Sequence, residues 1–217
     1  MKNDLLLQKD VIEELLWDPL VPDARVGVAV RDGVVTLTGH LDSYAEKVAV
    51  LQAAERVAGV KSIAMEVDVV PLGTHQRSDT EIASAIEHVL AWSTSVPRDK
   101  IQIMVENGWV TLSGELNWNF QRQACERMIR PLRGVVGITD NITLIPVEVP
   151  EKLSMRIQDA LTRQAVREAR RIEVSLDGNV VTLRGKVHSW AEKNAAEGVT
   201  WSAPGVSIVY NQLTVEP

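Results

Sequence analysis

Four histidines and one cysteine are the residues of this 217-residue chain best suited to metal binding or nucleophilic chemistry, and their spacing argues against both. His40, His75, His88 and His188 share no interval, and no two fall at i, i+4 on one helix face, so a metal site lacks ligands and no cofactor is implied. A nucleophile and its base would have to be assembled from Cys125, or an unmarked serine, and a histidine in a distant segment. Cys125 lies in the apolar-periodic run RQACERMI, which predicts a buried helical thiol. A single cysteine also excludes a disulfide framework. No catalytic constellation is present, and the chemistry left is that of binding.

Two kinds of side chain could supply it. Arg163, Arg167 and Arg170 follow i, i+4, i+7 and would share one face of a helix that ran so far, with Arg171 directly after. Near an anionic surface each would contribute roughly 1 kcal/mol; a solvated helix end, where cations complement the helix dipole, leaves the same pattern. Tyr44, Trp118, Phe120 and Trp190 stand at the start of runs read below as helices. They suit a membrane interface, being apolar with a hydrogen-bonding edge, and equally suit a lid over a small core. Trp17 and Trp92 occupy matched positions and read as structural.

The formal net charge is -6 and the pI about 5.3. Such a surface is repelled by nucleic-acid phosphate, so no nucleic-acid partner is expected. The charge is uneven: Lys and Arg stand against Asp and Glu as 7 to 12 in residues 1–74, 7 to 8 in 75–146 and 9 to 9 in 147–217. The last third is neutral, with its arginines clustered.

The elements that must carry these residues are written three times. DGVVTLTG at 32–39 returns as NGWVTLSG at 107–114 and, with a residue slipped in, as DGNVVTLRG at 177–185. The glycine skeleton is Gly33, Gly39 and Gly59, then Gly108, Gly114 and Gly134, then Gly178, Gly185 and Gly205, and the last two glycines of each set are 20 residues apart in every copy. A unit of about 70 residues is long enough to fold as a small domain without a neighbour.

Inside each unit the apolar period changes. Leu7, Val11 and Leu15, then Ile82, Ile86, Val89 and Leu90, then Leu153, Ile157, Ala160 and Leu161 form single helical stripes, with Asn3 and Ser78 placed as N-caps. The pairs VP at 21–22 and 96–97 break the first two helices. Alternating runs such as VGVAV and IQIMV lead through Asp-Gly or Asn-Gly to a return strand, the signature of a type I′ hairpin. Gly39, Gly114 and Gly185 fall where that strand ends, as a bulge or a close approach of backbone to the following helix. A second helix follows, closed by a C′ glycine at Gly59, Gly134 or Gly205, and then a last strand. The expected fold is α+β: three tandem αββαβ domains, 1–72, 76–146 and 149–217, each a three-stranded mixed sheet with two helices on one face. The linkers, PLGTHQRS at 71–78 and PVEVP at 146–150, are short.

This skeleton resembles the BON domain family, named for bacterial osmotically inducible and nodulation proteins. The resemblance rests on the αββαβ order, the hairpin DGVVTLTG leading into a helix, and a closing Gly-Val followed by an Asn or Asp, as in SWAEKNAAEGVTWSAPGVSIVYNQLTV at 189–215 and GVVGITDNITL at 134–144. Copy one departs from it at GVKSIAMEVDV, which lacks the equivalent of Asn141 and Asn211. The resemblance implies a non-enzymatic, stress-related scaffold that binds phospholipid or membrane surfaces, with a protein-interaction or chaperone-like module as the alternative. On that expectation Arg163, Arg167, Arg170, Arg171 and Trp190 are the candidate contact with anionic lipid. The opening MKNDLLLQKD is too short in apolar residues for a leader or a membrane span, which predicts a cytoplasmic chain, or a periplasmic one if a leader has been removed.

Overall fold

The computed structural model describes residues 3–22, 25–147, 150, 152–163 and 172–216. Unit one is built from α1 (Asp4–Trp17), β1 (Val26–Arg31), β2 (Val34–Leu41), α2 (Tyr44–Arg56) and β3 (Ser62–Val69). Unit two repeats the order with α3 (Asp79–Ala91), β4 (Ile101–Glu106), β5 (Trp109–Leu116), α4 (Asn119–Ile129) and β6 (Gly137–Leu144). Unit three has α5 (Leu153–Arg163), β7 (Ile172–Asp177), β8 (Val180–Val187), α6 (Trp190–Trp201) and β9 (Ile208–Val215). In each unit the return strand is central, antiparallel to the strand before it and parallel to the last one, so the αββαβ expectation holds.

The apolar periodicity accounts for the packing. Leu7, Val11 and Leu15 of α1 join Val50, Ala53 and Ala54 of α2 and the inward residues Val35, Leu37 and Leu41 of β2 in one core. Ile82, Ile86 and Leu90 do the same in unit two, and Leu153, Ile157 and Leu161 in unit three. Helix starts are fixed by side-chain caps that satisfy otherwise unpaired N–H groups. Asn3 Oδ1 accepts from Leu5 N, and Ser78 and Glu81 form a reciprocal capping box. Ser43 and Ser189 accept from Glu46 N and Glu192 N at the heads of the second helices.

Hairpin and first helix are tied directly. The Asp4 carboxylate accepts from the turn amides of Asp32 (2.8 Å) and Gly33 (3.1 Å), and Asp79 accepts from Asn107 (2.9 Å) and Gly108 (2.8 Å). The turns have φ of 54° and 80° in unit one and 51° and 77° in unit two, the positive pair of a type I′ turn. The third hairpin differs from its reading in sequence. Asp177 pairs with Val180, so no residue is inserted and the two-residue turn is Gly178-Asn179. Gly178 takes the Asp32 place with φ 54°, and only this first turn position is positive, as in type II′. Asn179 ties the hairpin by donating from Nδ2 to the carbonyls of Val147 and Gly205, both at 2.5 Å.

The central strands do not end at Gly39, Gly114 and Gly185 but run two residues further, to Leu41, Leu116 and Val187, in parallel pairing with the last strand; the glycines have φ of 143°, 138° and 136°. What comes close is the residue preceding the first strand, not the following helix: a Cβ on Gly39 would lie 1.9 Å from Arg25 O, and one on Gly114 would lie 2.0 Å from Lys100 O. Gly59, Gly134 and Gly205 also have positive φ, but each stands beyond the C′ position, at the close of a further turn after helices ending at Arg56, Ile129 and Trp201. Gly198 is the opposite case. It sits inside α6 with open space where a Cβ would go, so Gly198→Ala is expected to stabilise the chain by about 0.5–1 kcal/mol, read as a raised urea midpoint.

The second helices join the units. Tyr44, at the head of α2, packs on the core of unit two; burial pushes its phenol pKa up, with Glu126 of α4 adding to the rise and Arg130 opposing it. Arg122 of α4 lies 4.7 Å over the ring of Trp201, at the tail of α6. Trp190, at the head of α6, packs on the core of unit one and donates to Lys61 O (3.3 Å), while Asn194 donates to Glu55 Oε2 (2.9 Å). Burial raises the Glu55 pKa, and the Asn194 hydrogen bond opposes that rise. Each helix head meets the tail of another, α2 on α4, α4 on α6 and α6 on α2, so the three junctions close into a ring.

The third junction reverses the donor of the aromatic ring. Five residues past the strand glycine stand Tyr44, Asn119 and Trp190; sixteen past it stand Glu55, Arg130 and Trp201. Unit two has the small Asn119 where the others have a ring, and unit three supplies Trp201 to the core of unit two from the opposite side. Asn119 is buried, and its Oδ1 has no hydrogen-bond partner among the described residues.

Candidate functional site

Cys125 is buried in α4 and donates from Sγ to Gln121 O (3.2 Å). Burial, with Asp140 adding to it, pushes the thiol pKa to about 11. At neutral pH the thiolate is therefore scarce and the residue packs as a small apolar group. Among the described residues no cluster of His, Cys, Asp and Glu could hold a metal ion, and no helix is long and apolar enough to cross a membrane.

The candidate lipid contact divides in two. Arg163 ends α5 and is exposed, lining an open groove of about 490 Å³ with Arg156, Asp159 and the residues that close α6, Ser202 to Pro204. Arg167, Arg170 and Arg171 lie outside the described residues. Trp190 sits at the other end of α6, about 16 Å along the axis from Trp201 at 1.5 Å per residue. It is held at the junction with unit one, with the Lys193 ammonium 5.0 Å over its ring. The structure therefore does not bring Arg163 and Trp190 together. Trp118 caps α4 and Phe120 is exposed beside it.

Trp17 and Trp92 fall elsewhere than a structural role would put them. They are 82% and 88% exposed. Each stands ten residues after the first core residue of its unit, Leu7 and Ile82, and the same step from Leu153 reaches Arg163. All three thus occupy one repeat position, at or just past the end of the first helix.

A second surface belongs to unit one alone. Leu5, Ile12 and Leu16 line the outer side of α1, with Leu20 beyond, and all four are exposed. Ile12 and Leu16 line a small apolar notch with Leu15, Val21, Pro22, Val26 and Val28. The equivalents of Leu5, Ile12, Leu16 and Leu20 in unit two are Thr80, Glu87, Ala91 and Ser95, and those of Ile12 and Leu16 in unit three are Gln158 and Thr162. Periodicity alone did not single out this strip, because a leucine on either side of a short helix reads the same. Superposing the three copies would have found it.

Comparison with known proteins bears on the fold. The family profile described as the BON domain matches residues 3–71, 78–146 and 151–217. A search of curated proteins finds no significant match. Among solved structures, the chain is similar to the C-terminal domain of CdsD, described as the structural protein of the type III secretion system of Chlamydia trachomatis, at 15% identity over 100% of both chains with a TM-score of 0.28. A second structure of CdsD from the same organism gives 15% identity over 99% of this chain and 93% of that one, with a TM-score of 0.27. Superpositions that loose carry no argument about what this chain does.

Proposed function

The chain belongs to the BON domain family through all three of its units, and on that footing we propose that it is a non-catalytic scaffold whose three first-helix ends rest on a phospholipid surface. BON domains are binding modules, in a family associated with membrane or phospholipid binding and with stress. The observation carrying the reading is the equivalence of Trp17, Trp92 and Arg163: two of the most exposed rings in the molecule and a cation, at one repeat position of a closed ring. Tryptophan favours the headgroup region, and arginine is drawn to anionic headgroups by about 1 kcal/mol. Contacts held on one rigid body reinforce one another, since the second and third form at high effective concentration. Trp190, engaged at a junction, is left out of this contact, and Arg167, Arg170 and Arg171 follow Arg163 in sequence. The cellular setting that fits is osmotic or envelope stress.

Because α1 carries four carboxylates against one lysine, attraction to anionic lipid comes from unit three and the apolar contact from units one and two. Co-sedimentation with phosphatidylcholine vesicles, with and without phosphatidylglycerol, separates the parts. Trp17→Ala with Trp92→Ala should weaken partitioning on both vesicle types by about tenfold or more. Arg163→Ala should cost about fivefold on the anionic vesicles alone, an effect that fades at high salt. Wild-type partitioning by both variants would remove the reading. The rival, a protein-interaction scaffold without a lipid role, draws on a different surface, the outer face of α1.

A further inference from the structure

We infer that the outer face of the unit-two sheet binds a neutral, β-1,4-linked oligosaccharide stacked on Trp109. The core and its helices cover one face of this sheet, and strand pairing puts Trp109, Thr111 and Ser113 of β5 on the other, between Gln102 of β4 and Thr139 and Asn141 of β6. An indole on an open sheet face is free to stand off it, but this one is laid down. A Cβ on Gly137 would lie 2.5, 2.6 and 2.7 Å from Cζ3, Cε3 and Cη2 of Trp109, so the six-membered ring rests on β6 where glycine leaves room. Its Nε1–H donates to Thr139 Oγ1 at 2.8 Å, which fixes the ring sideways as well. The residue is still 48% exposed, so the side of the ring away from β6 faces solvent. Three copies of one scaffold act as each other's controls, and only one carries this platform. Val34, Ser62 and Ala64 stand at the places of Trp109, Gly137 and Thr139 in unit one, and Val180, Ile208 and Tyr210 in unit three.

Charge narrows the occupant. Glu106, paired with Trp109, and Glu115, about 20 Å along β5 from it, mark the ends of this face, and no ionised side chain lies on it between them. The equivalent faces are crossed by Arg31, His40, Glu66 and Asp68 in unit one and by Glu173, Arg184 and Lys186 in unit three. Without a cation the face has nothing to hold phosphate, anionic lipid or nucleic acid. A protein strand joins a sheet at its edge, through backbone groups, and not on its face. What fits is a neutral ligand with hydrogen-bonding groups. Among the described residues, Gln102, Thr111, Ser113 and Asn141 have no side-chain hydrogen-bond partner, so their amides and hydroxyls are left to donate and accept. A pyranose meets both requirements: the C–H groups on its ring face are drawn to the negative face of the indole, and the hydroxyls around its rim reach the polar side chains. With β-1,4 links the chain is an extended ribbon that keeps these groups along its length, which suits an open face, whereas an α-1,4 chain coils away from it. The fixed indole adds to affinity because little rotamer freedom is left to lose on binding.

The probes are chitohexaose and cellohexaose, with maltohexaose as the coiled counterpart, each titrated into the full chain. The readout is the indole N–H resonance of Trp109, assigned by its absence from Trp109→Val. It should shift and saturate with at least one extended hexaose while the resonances of Trp17 and Trp92 stay in place, and maltohexaose should bind at least about tenfold more weakly. Trp109→Val, which installs the residue units one and three have there, should keep the wild-type melting temperature and lose about tenfold or more in affinity by isothermal calorimetry. Asn141→Glu, which installs unit one's Glu66 at an exposed position, should lose about fivefold and decides the matter if Trp109→Val fails to fold. No saturable shift with either extended hexaose, equal binding of maltohexaose, or wild-type affinity in both variants would overturn the inference. Loss of vesicle partitioning in Trp109→Val would assign the face to lipid and also overturn it. Failure of the lipid reading is distinct from all of these, since it rests on Trp17, Trp92 and Arg163.

Discussion

Gly114→Ala is expected to destabilise unit two by about 4 kcal/mol, the combined scale of a strained backbone and an overpacked contact. Two features act together. The backbone φ of 138° is one that side-chain-bearing residues rarely adopt, and the new Cβ would sit 2.0 Å from Lys100 O, which belongs to backbone and cannot swing aside. Relief requires Gly114 to leave its register opposite Ile101, which frees the edge of β4. In urea, the fluorescence of Trp109 on β5 should report unfolding of this unit well before the rest, turning one transition into two. A variant with the wild-type midpoint would show that the backbone around Gly114 relaxes without cost. Gly39→Ala should behave alike in unit one, where the corresponding distance is 1.9 Å.

Trp201→Ala is expected to cost about 3 kcal/mol and to open the ring at one joint. The indole touches two cores at once, those of units two and three, and carries the Arg122 guanidinium at 4.7 Å. Its removal leaves a void next to a cation that has lost its ring. The partner helix cannot fill that void, because the position facing this junction from unit two is the small Asn119, not a ring as in the other two units. Small-angle scattering should show a larger radius of gyration at unchanged helix content, and the urea midpoint should fall. An unchanged radius would mean that the other two junctions hold the ring closed by themselves.

Much of this architecture is legible in the chain. The hairpin dipeptides, the stripe of Leu7, Val11 and Leu15, and the caps at Asn3 and Ser78 are local signals, each set by contacts within a few residues. The buried Cys125 is legible for the same reason. The role of Trp190 depends on contacts across more than a hundred residues. Trp190 looks like a lipid anchor until the core of unit one is placed against it, and Trp17 looks structural until nothing is. An indole at a helix end carries the same sequence pattern whether it faces solvent, lipid or another domain. The third hairpin differs from its sequence signal because DGN contains the Asp-Gly pair, while strand pairing puts the turn one residue later.

The head-to-tail closure of α2, α4 and α6 also sets how the assembly responds to dilution. A ring made from three separate chains would fall apart as its concentration dropped, with the third power of that concentration governing its population. Here the linkers at 71–78 and 146–150 hold the units within reach of one another, so the junctions experience the local concentration fixed by the tether. The ring then persists on dilution, and the surface it presents scales with the number of molecules.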